Sequence, residues 1–365
     1  MRRRAGQYVS RCQTVRQINI GNVHEFASDA IDTASRIELD PNRHRSFGLP
    51  DLNVEVRSTD RKYIDLCETA FADQPASRSA NERKITVSVV NRKSSESLPS
   101  ALWDEPEFSI RRMADTLQSN GFEGVFEFDY RLWQFLRADD GACIQLMQTA
   151  DAYPPWEAAF PLRQFVHWAY QRSDMLLAHA GTLGLNGSGI LLAGAGGAGK
   201  SGTVLAGILN RLQTCGDDYV VVGRSGETWT ARPVVRLMKQ DADGLARAGL
   251  DTGSGDFGDV NWQNKYVFDY DALVPGSAAV SLNLRAILIP CIAHAPRTEL
   301  RPANGREALL ALAPSSLYQL KGGWTNTMKM SAEICRHLPA YHVELGGNPR
   351  EISETISEFM ERLSA

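Results

Sequence analysis

The stretch Ile190-Leu191-Leu192-Ala193-Gly194-Ala195-Gly196-Gly197-Ala198-Gly199-Lys200-Ser201 decides how this chain is read. A short apolar run, of the kind that makes a buried strand, passes directly into G-x-x-x-x-G-K-S, with Gly202 continuing into an apolar, helix-forming segment. Each position has a physical task. Small residues let the backbone wrap closely around a polyphosphate, so that successive N–H groups and the positive end of the following helix point at the anion. Gly194, Ala195, Gly196, Gly197, Ala198 and Gly199 supply that cradle, Lys200 a mobile charge for the outer phosphates, and the Ser201 hydroxyl a magnesium ligand. Nucleoside triphosphate, ATP in the first instance, with Mg2+ is the expected ligand.

The second feature is Asp217-Asp218, directly before the strand-like Tyr219-Val220-Val221-Val222. A helix from Lys200 to about Leu209 carries the chain roughly 15 Å from the loop, and Arg211 to Gly216, extended at about 3.3 Å per residue, brings it back. A right-handed crossover to a parallel strand then places both carboxylates beside the loop. Adjacent acids repel, so their proton affinities separate: one remains a metal ligand while the other accepts a proton. Phosphoryl transfer to a hydroxyl needs that division of labour.

From Leu176 to Val222, with Ala178-His179-Ala180 ahead of the Gly187-to-Ala193 strand, then the loop, its helix and Asp217-Asp218-Tyr219, the sequence resembles the catalytic core of HPr kinase/phosphorylase-related bacterial kinases. The likeness continues more loosely through Lys265-Tyr266-Val267-Phe268, Ala286 to Pro290 and the terminal strand and helix, covering roughly residues 170 to 360. The resemblance implies an α/β fold with a P-loop, carboxykinase/HPr-kinase-like catalytic domain and magnesium-dependent transfer to a serine-type hydroxyl. It implies Asp217 as the base, Asp218 and Ser201 as metal ligands, and His179 near the phosphates. The Glu-x-Arg-Gly-x-Gly segment expected of a kinase acting on HPr is missing, so the acceptor is expected to be a different peptide, protein or metabolite. In its place stand Arg236, Lys239 and, later, Lys265 as candidate phosphate or substrate contacts, with a glycine-rich Gly244-to-Gly258 segment as a candidate lid. Two other readings use the same loop: a nucleotide-dependent ATPase or switch without an acceptor, and a carboxykinase-like lyase, which would want a Lys and His metal cluster that the sequence does not offer.

The remainder bounds the surroundings. At 365 residues, 43% apolar and 22% charged, the chain has room for two domains. We expect a smaller, mainly-β N-terminal domain over 1–150, a helical bridging segment over 151–178 and the kinase domain over 179–365. Strand patterns at Leu52–Val56, Lys84–Val90 and Val125–Tyr130, and helical pieces near Ile64–Phe71 and Ser109–Leu117, fill the first part. The net charge of −4 argues against general nucleic-acid binding despite the basic Arg2-Arg3-Arg4, Arg11 and Arg16. No apolar run of membrane length occurs and six cysteines are scattered without metal spacing, so a cytoplasmic location with reduced thiols is expected. A homo-oligomer is left open. Asn348, Pro349 and Glu351 announce a final helix with Ile352, Ile356, Phe359, Met360 and Leu363 as its apolar stripe, laid over a strand from Tyr341 to Leu345.

Overall fold

The computed structural model describes residues 16–71, 83–91, 101–103, 110–147, 153–254 and 257–364. The basic tip Arg2 to Arg11, the polar stretches 74–82 and 93–97, and Gly255 and Asp256 of the candidate lid lie outside these residues.

The fold is mixed α/β, with several sheets and ten α-helices among the described residues. In the first part the strands are β1 (Arg16–Ile18), β2 (His44–Leu49), β3 (Leu52–Ser58), β4 (Arg83–Asn91), β5 (Ala101–Trp103), β6 (Phe122–Glu127), β7 (Leu132–Arg137) and β8 (Ala142–Met147). They are joined by helices α1 (Val23–Ser35), α2 (Arg61–Ala70) and α3 (Ile110–Ser119). Six strands form one sheet in the order β2-β3-β4-β8-β7-β6, in which β3, β4 and β8 are parallel neighbours. Alternate side chains of β7 and β8 go to opposite faces, as strand geometry requires. Trp133, Phe135, Ile144 and Leu146 join Phe26, Ala30 and Leu117 beneath α1 and α3, while Leu136 and Cys143 join Tyr63, Ile64 and Phe165 on the other face. The mainly-β expectation for this part therefore gives way to a sheet covered by helices on both sides. Parallel central strands have no solvent-facing side and need such cover.

The second part holds α4 (Arg163–Tyr170), β9 (Met175–Ala178), β10 (Gly181–Leu185), β11 (Ser188–Leu192), α5 (Lys200–Leu209), β12 (Val220–Ser225), β13 (Thr228–Pro233) and β14 (Leu237–Gln240). There follow α6 (Ala242–Arg247), β15 (Tyr266–Asp269), α7 (Tyr270–Leu273), β16 (Leu282–Ala295), β17 (Glu299–Ala303), α8 (Gly305–Gln319), α9 (Trp324–His337), β18 (Ala340–Gly346) and α10 (Pro349–Ser364). Among the described residues of the expected helical bridge, only Arg163–Tyr170 is α-helical; its last residues, Met175 to Ala178, are a strand of the larger sheet. That sheet runs β10-β11-β16-β13-β12-β9, with β18 on β16 and β17 on β18. Period two again sorts the side chains: Ile190, Leu192, Ala286 and Leu288 pack under α5 and α10, and Leu191, Ala193 and Ile287 pack under α8 and α9. The two parts share a buried core, since Val54 and Val87 of the first sheet belong to the same cluster as Leu177, Tyr219 and Val221 of the second.

β12, the strand after the acid pair, runs in the same direction as β11 without being its neighbour. β12 pairs antiparallel with both β9 and β13, and two strands separate it from β11. The returning segment lies along β10: Gly184 N donates to Gln213 O at 2.7 Å and Thr182 N to Gly216 O at 2.9 Å. β10 is in turn antiparallel to β11, with Gly181 opposite Leu192, so the acids arrive where β11 runs out into the glycine loop. This route requires a bare backbone at Gly181, where a Cβ would lie 2.9 Å from Val204 Cγ2 and 3.3 Å from Asp217 O. Gly181→Val should therefore lower unfolding stability by about 1–3 kcal/mol through overpacking, read as a reduced urea midpoint. An unchanged midpoint would show that the contact is slack.

Among the described residues, no helix is long and apolar enough to cross a membrane. The final helix spans Pro349–Ser364, and Asn348 Oδ1 accepts from Arg350 N at 2.9 Å and Glu351 N at 3.4 Å. Glu351 does not turn back to its own cap; its carboxylate accepts from Thr298 N and Thr298 Oγ1, both at 2.7 Å, tying α10 to the segment ahead of β17.

Candidate functional site

β11, β16 and β18 are successive parallel neighbours, so the segments at their carboxyl ends meet along one edge. A cleft of about 470 Å³ opens there, within the usual size of a small-molecule site.

Residues 194–199 form the turn between β11 and α5, and the helix starts at Lys200. Gly197 and Gly199 have φ of +81° and +104°, a region that disfavours residues with a side chain. At Gly199 a Cβ would also lie 2.5 Å from Leu345 Cδ1, whereas Cβ atoms at Gly196 and Gly197 would meet nothing within 4 Å. The turn is thus packed at its helical end and open at its tip. Lys200 is 6% exposed and folds over the turn, with Nζ donating to Gly194 O at 2.6 Å and Ala195 O at 3.1 Å. Burial lowers its pKa, opposed by the charges of Asp218 and Asp217. Gly196, Gly197, Gly199, Lys200, Ser201 and Gly202 line the cleft.

Asp217 and Asp218 line it too, in different states. His179 Nε2 lies 2.9 Å from Asp218 Oδ1, and Lys239 Nζ lies 2.7 Å from Asp218 Oδ2. Burial opposes the charge of Asp218, but Lys239 and His179 outweigh it and hold the carboxyl well below the usual carboxylate range. Asp217 is 2% exposed and neither of its oxygens has a hydrogen-bond partner among the described residues. Burial, then the charge of Asp218, pushes its pKa upward. The Ser201 hydroxyl lies near enough to favour ionised Asp217 without completing a hydrogen bond. One carboxylate is fixed as an anion; the other is poised to exchange a proton.

His179 sits between β9 and β10, its ring 5.2 Å from that of Tyr219 and its backbone N–H on Ser316 Oγ at 3.0 Å. Lys239, on β14, is not a lining residue and acts on the site through its pairing with Asp218, whereas Lys265, held just before β15 by the turn at Asn261, lines the cleft. Arg236 does not line it. Its guanidinium lies 3.1 Å from Asp269 and 3.9 Å from Asp271, so the expected phosphate contact is replaced by a pairing that ties β14 to the start of α7. The candidate lid is also more regular than its glycines suggested: Gly244 is buried inside α6, whose cap, Asp241, accepts from Gly244 N at 2.7 Å.

Several lining residues escaped the sequence reading. Gln240, Asp241 and the exposed Arg247 form a polar wall from β14 and α6, and Ile292, Leu345, Pro349 and Ile352 form an apolar one. Arg247 carried a legible signal as a basic residue at a helix end; the apolar wall carried none, since it is assembled from three separate strand and helix ends.

The donor set suits magnesium better than a transition metal. No group of three or more His, Cys, Asp or Glu side chains among the described residues could hold an ion alone, and magnesium is commonly held by one or two carboxylates together with substrate phosphates. Asp218 and Ser201, with a second carboxyl, Asp217, whose oxygens have no partner among the described residues, fit that pattern.

No family model matches the chain, and no curated protein does. Among solved structures, the HPr(Ser) kinase/phosphatase from Coxiella burnetii aligns at 12% identity over 53% of this chain and 100% of that one, with a TM-score of 0.29.

Proposed function

We propose that this chain is a magnesium-dependent kinase of P-loop type that transfers the γ-phosphoryl group of ATP to a hydroxyl of a peptide, protein or small molecule. The observation that carries the reading is the contrast within the acid pair: a buried Asp217 with both oxygens unpartnered and its pKa raised, beside an Asp218 locked as an anion by His179 and Lys239.

The residues divide the work as follows. Backbone N–H groups of 195–200 and Lys200 bind the β- and γ-phosphates. Ser201 and Asp218 would hold magnesium, which would supply neutralising charge for the phosphate oxygens. Asp217 accepts the proton of the acceptor hydroxyl as its oxygen bonds to the γ-phosphorus; the bond from that phosphorus to the β–γ bridging oxygen breaks, and the diphosphate departs with the electron pair. Lys239 and Lys265 neutralise charge around the transferring group, and His179 orients Asp218. The N-terminal part, 1–150, serves as support for acceptor choice or assembly.

Single-turnover reactions with γ-labelled ATP and pooled peptides or hydroxylated metabolites test this. Label on an organic acceptor is the expected result, and label released only as inorganic phosphate would make the chain an ATPase or switch. Asp218→Asn should raise the magnesium concentration needed for half-maximal transfer by about tenfold, the scale of a weakened metal ligand. A magnesium titration identical to that of the unsubstituted protein would remove Asp218 from the metal.

A further inference from the structure

The cleft has two chemically different ends. At one stand Asp217, Asp218, His179 and Lys265, with Lys239 paired to Asp218. At the other, Ile292 from β16, Leu345 from β18, and Pro349 and Ile352 from α10 form an apolar shelf. Ile292 is 46% exposed, so its side chain is open at the mouth of the cleft. The shelf is continuous with the glycine loop, because a Cβ on Gly199 would lie 2.5 Å from Leu345 Cδ1 and 3.3 Å from Ile292 Cγ1.

Strand order fixes which end is which. The acids reach the loop from the β10 side of β11, and the shelf lies on its β16 and β18 side. A triphosphate laid across the loop with its γ-phosphorus at Asp217 must send its nucleoside toward the shelf.

Resting on the kinase reading above, we infer that this shelf binds the donor's base by apolar contact alone, so that ATP and GTP are accepted nearly equally. Telling adenine from guanine requires groups that match N6 and N1 of one or O6, N1 and N2 of the other. Among the described residues, the shelf's side chains are aliphatic, and Gly346 and Gly347 between them add none. Of the polar side chains flanking it along the chain, Asn348 caps α10 and Glu351 accepts from Thr298, and the polar wall of Gln240, Asp241 and Arg247 belongs to the separate β14–α6 segment. A site that hydrogen-bonds a defining polar group rejects an analogue lacking it by roughly 10⁴-fold or more, whereas apolar contact discriminates weakly.

Titration calorimetry on the full chain with MgATP, MgGTP and magnesium tripolyphosphate tests this, using the unsubstituted protein and Ile292→Asn. The exposed position of Ile292 favours a folded variant. Dissociation constants for ATP and GTP should agree within about threefold, and Ile292→Asn should weaken both about five- to tenfold, as expected for lost apolar burial. Tripolyphosphate, which has no base, should bind both proteins alike. A preference for one purine above roughly 30-fold, or an equal loss of tripolyphosphate and ATP affinity in the variant, overturns the inference while leaving the phosphate loop intact. Failure of tripolyphosphate to bind either protein would instead sink the kinase reading, and the shelf's role with it.

Discussion

Asp217→Asn reduces phosphoryl transfer by at least ~10²-fold, the usual scale for losing a general base, while MgATP still binds. The side chain is nearly isosteric, and no hydrogen bond to either oxygen is lost among the described residues, so the loop keeps its shape. What disappears is the ability to take a proton. The pH dependence gives a second, independent readout. Burial and the Asp218 charge raise the pKa of Asp217, so the unsubstituted protein should show kcat/KM rising with pH along a limb above the ordinary carboxylate value of about 3.9. That limb should vanish in the Asn variant.

Stability moves in the opposite sense. A folded-state pKa above the unfolded one means the native state holds the proton more tightly; its stabilisation is complete below the unfolded pKa and is lost as pH rises through the folded one. The Asn variant, free of that loss, should melt no lower than the unsubstituted protein at pH 7. Normal turnover by a well-folded Asn variant would remove Asp217 from the chemistry.

The parts of this molecule that could be read from sequence are those set by local pattern. The strand-to-helix transition at the glycine loop follows from small residues between an apolar run and a helix former, and α5 spans Lys200–Leu209 as the spacing suggests. α10 is legible for the same reason, through its cap and its stripe. α1 is legible in the same way: Val23, Phe26, Ala27, Ala30, Ile31 and Ala34 recur at helical spacing and all are buried.

What sequence could not supply is long-range pairing. Asp217 reaches the loop because Gln213 to Gly216 lies along β10, and no periodicity in either segment announces that partnership. The same holds for the ionic state of the site. Adjacent acids suggest unequal proton affinities, but which one is anionic depends on Lys239 from β14 and His179 from the β9–β10 turn. Arg236 failed as a contact for a related reason. Its partners, Asp269 and Asp271, lie more than thirty residues along the chain and become neighbours only because β14 and β15 pair.

Lys200→Ala should weaken MgATP binding about 10- to 100-fold, from the ~1.5–3 kcal/mol of a hydrogen bond to a charged group, and should reduce transfer by a further ~10²–10³-fold at saturating nucleotide. Two interactions of the same ammonium set the size of the effect. It donates to Gly194 O and Ala195 O, holding the turn closed on itself, and it stands among Asp217 and Asp218, which keep it protonated against the cost of burial. To meet a phosphate it must leave those carbonyls, exchanging neutral acceptors for an anion. The gain grows as charge builds on the γ-phosphoryl oxygens, so its loss must appear in kcat as well as in binding. Lys200→Arg makes the distinction sharper. A guanidinium keeps the charge, but its planar fork cannot reproduce a compact ammonium inside a turn whose carbonyls lie 2.6 and 3.1 Å away, so binding should recover in part and kcat should not. Equal recovery of both would mean that Lys200 contributes charge without position, and undiminished MgATP affinity in Lys200→Ala would mean that the loop does not hold phosphate at all.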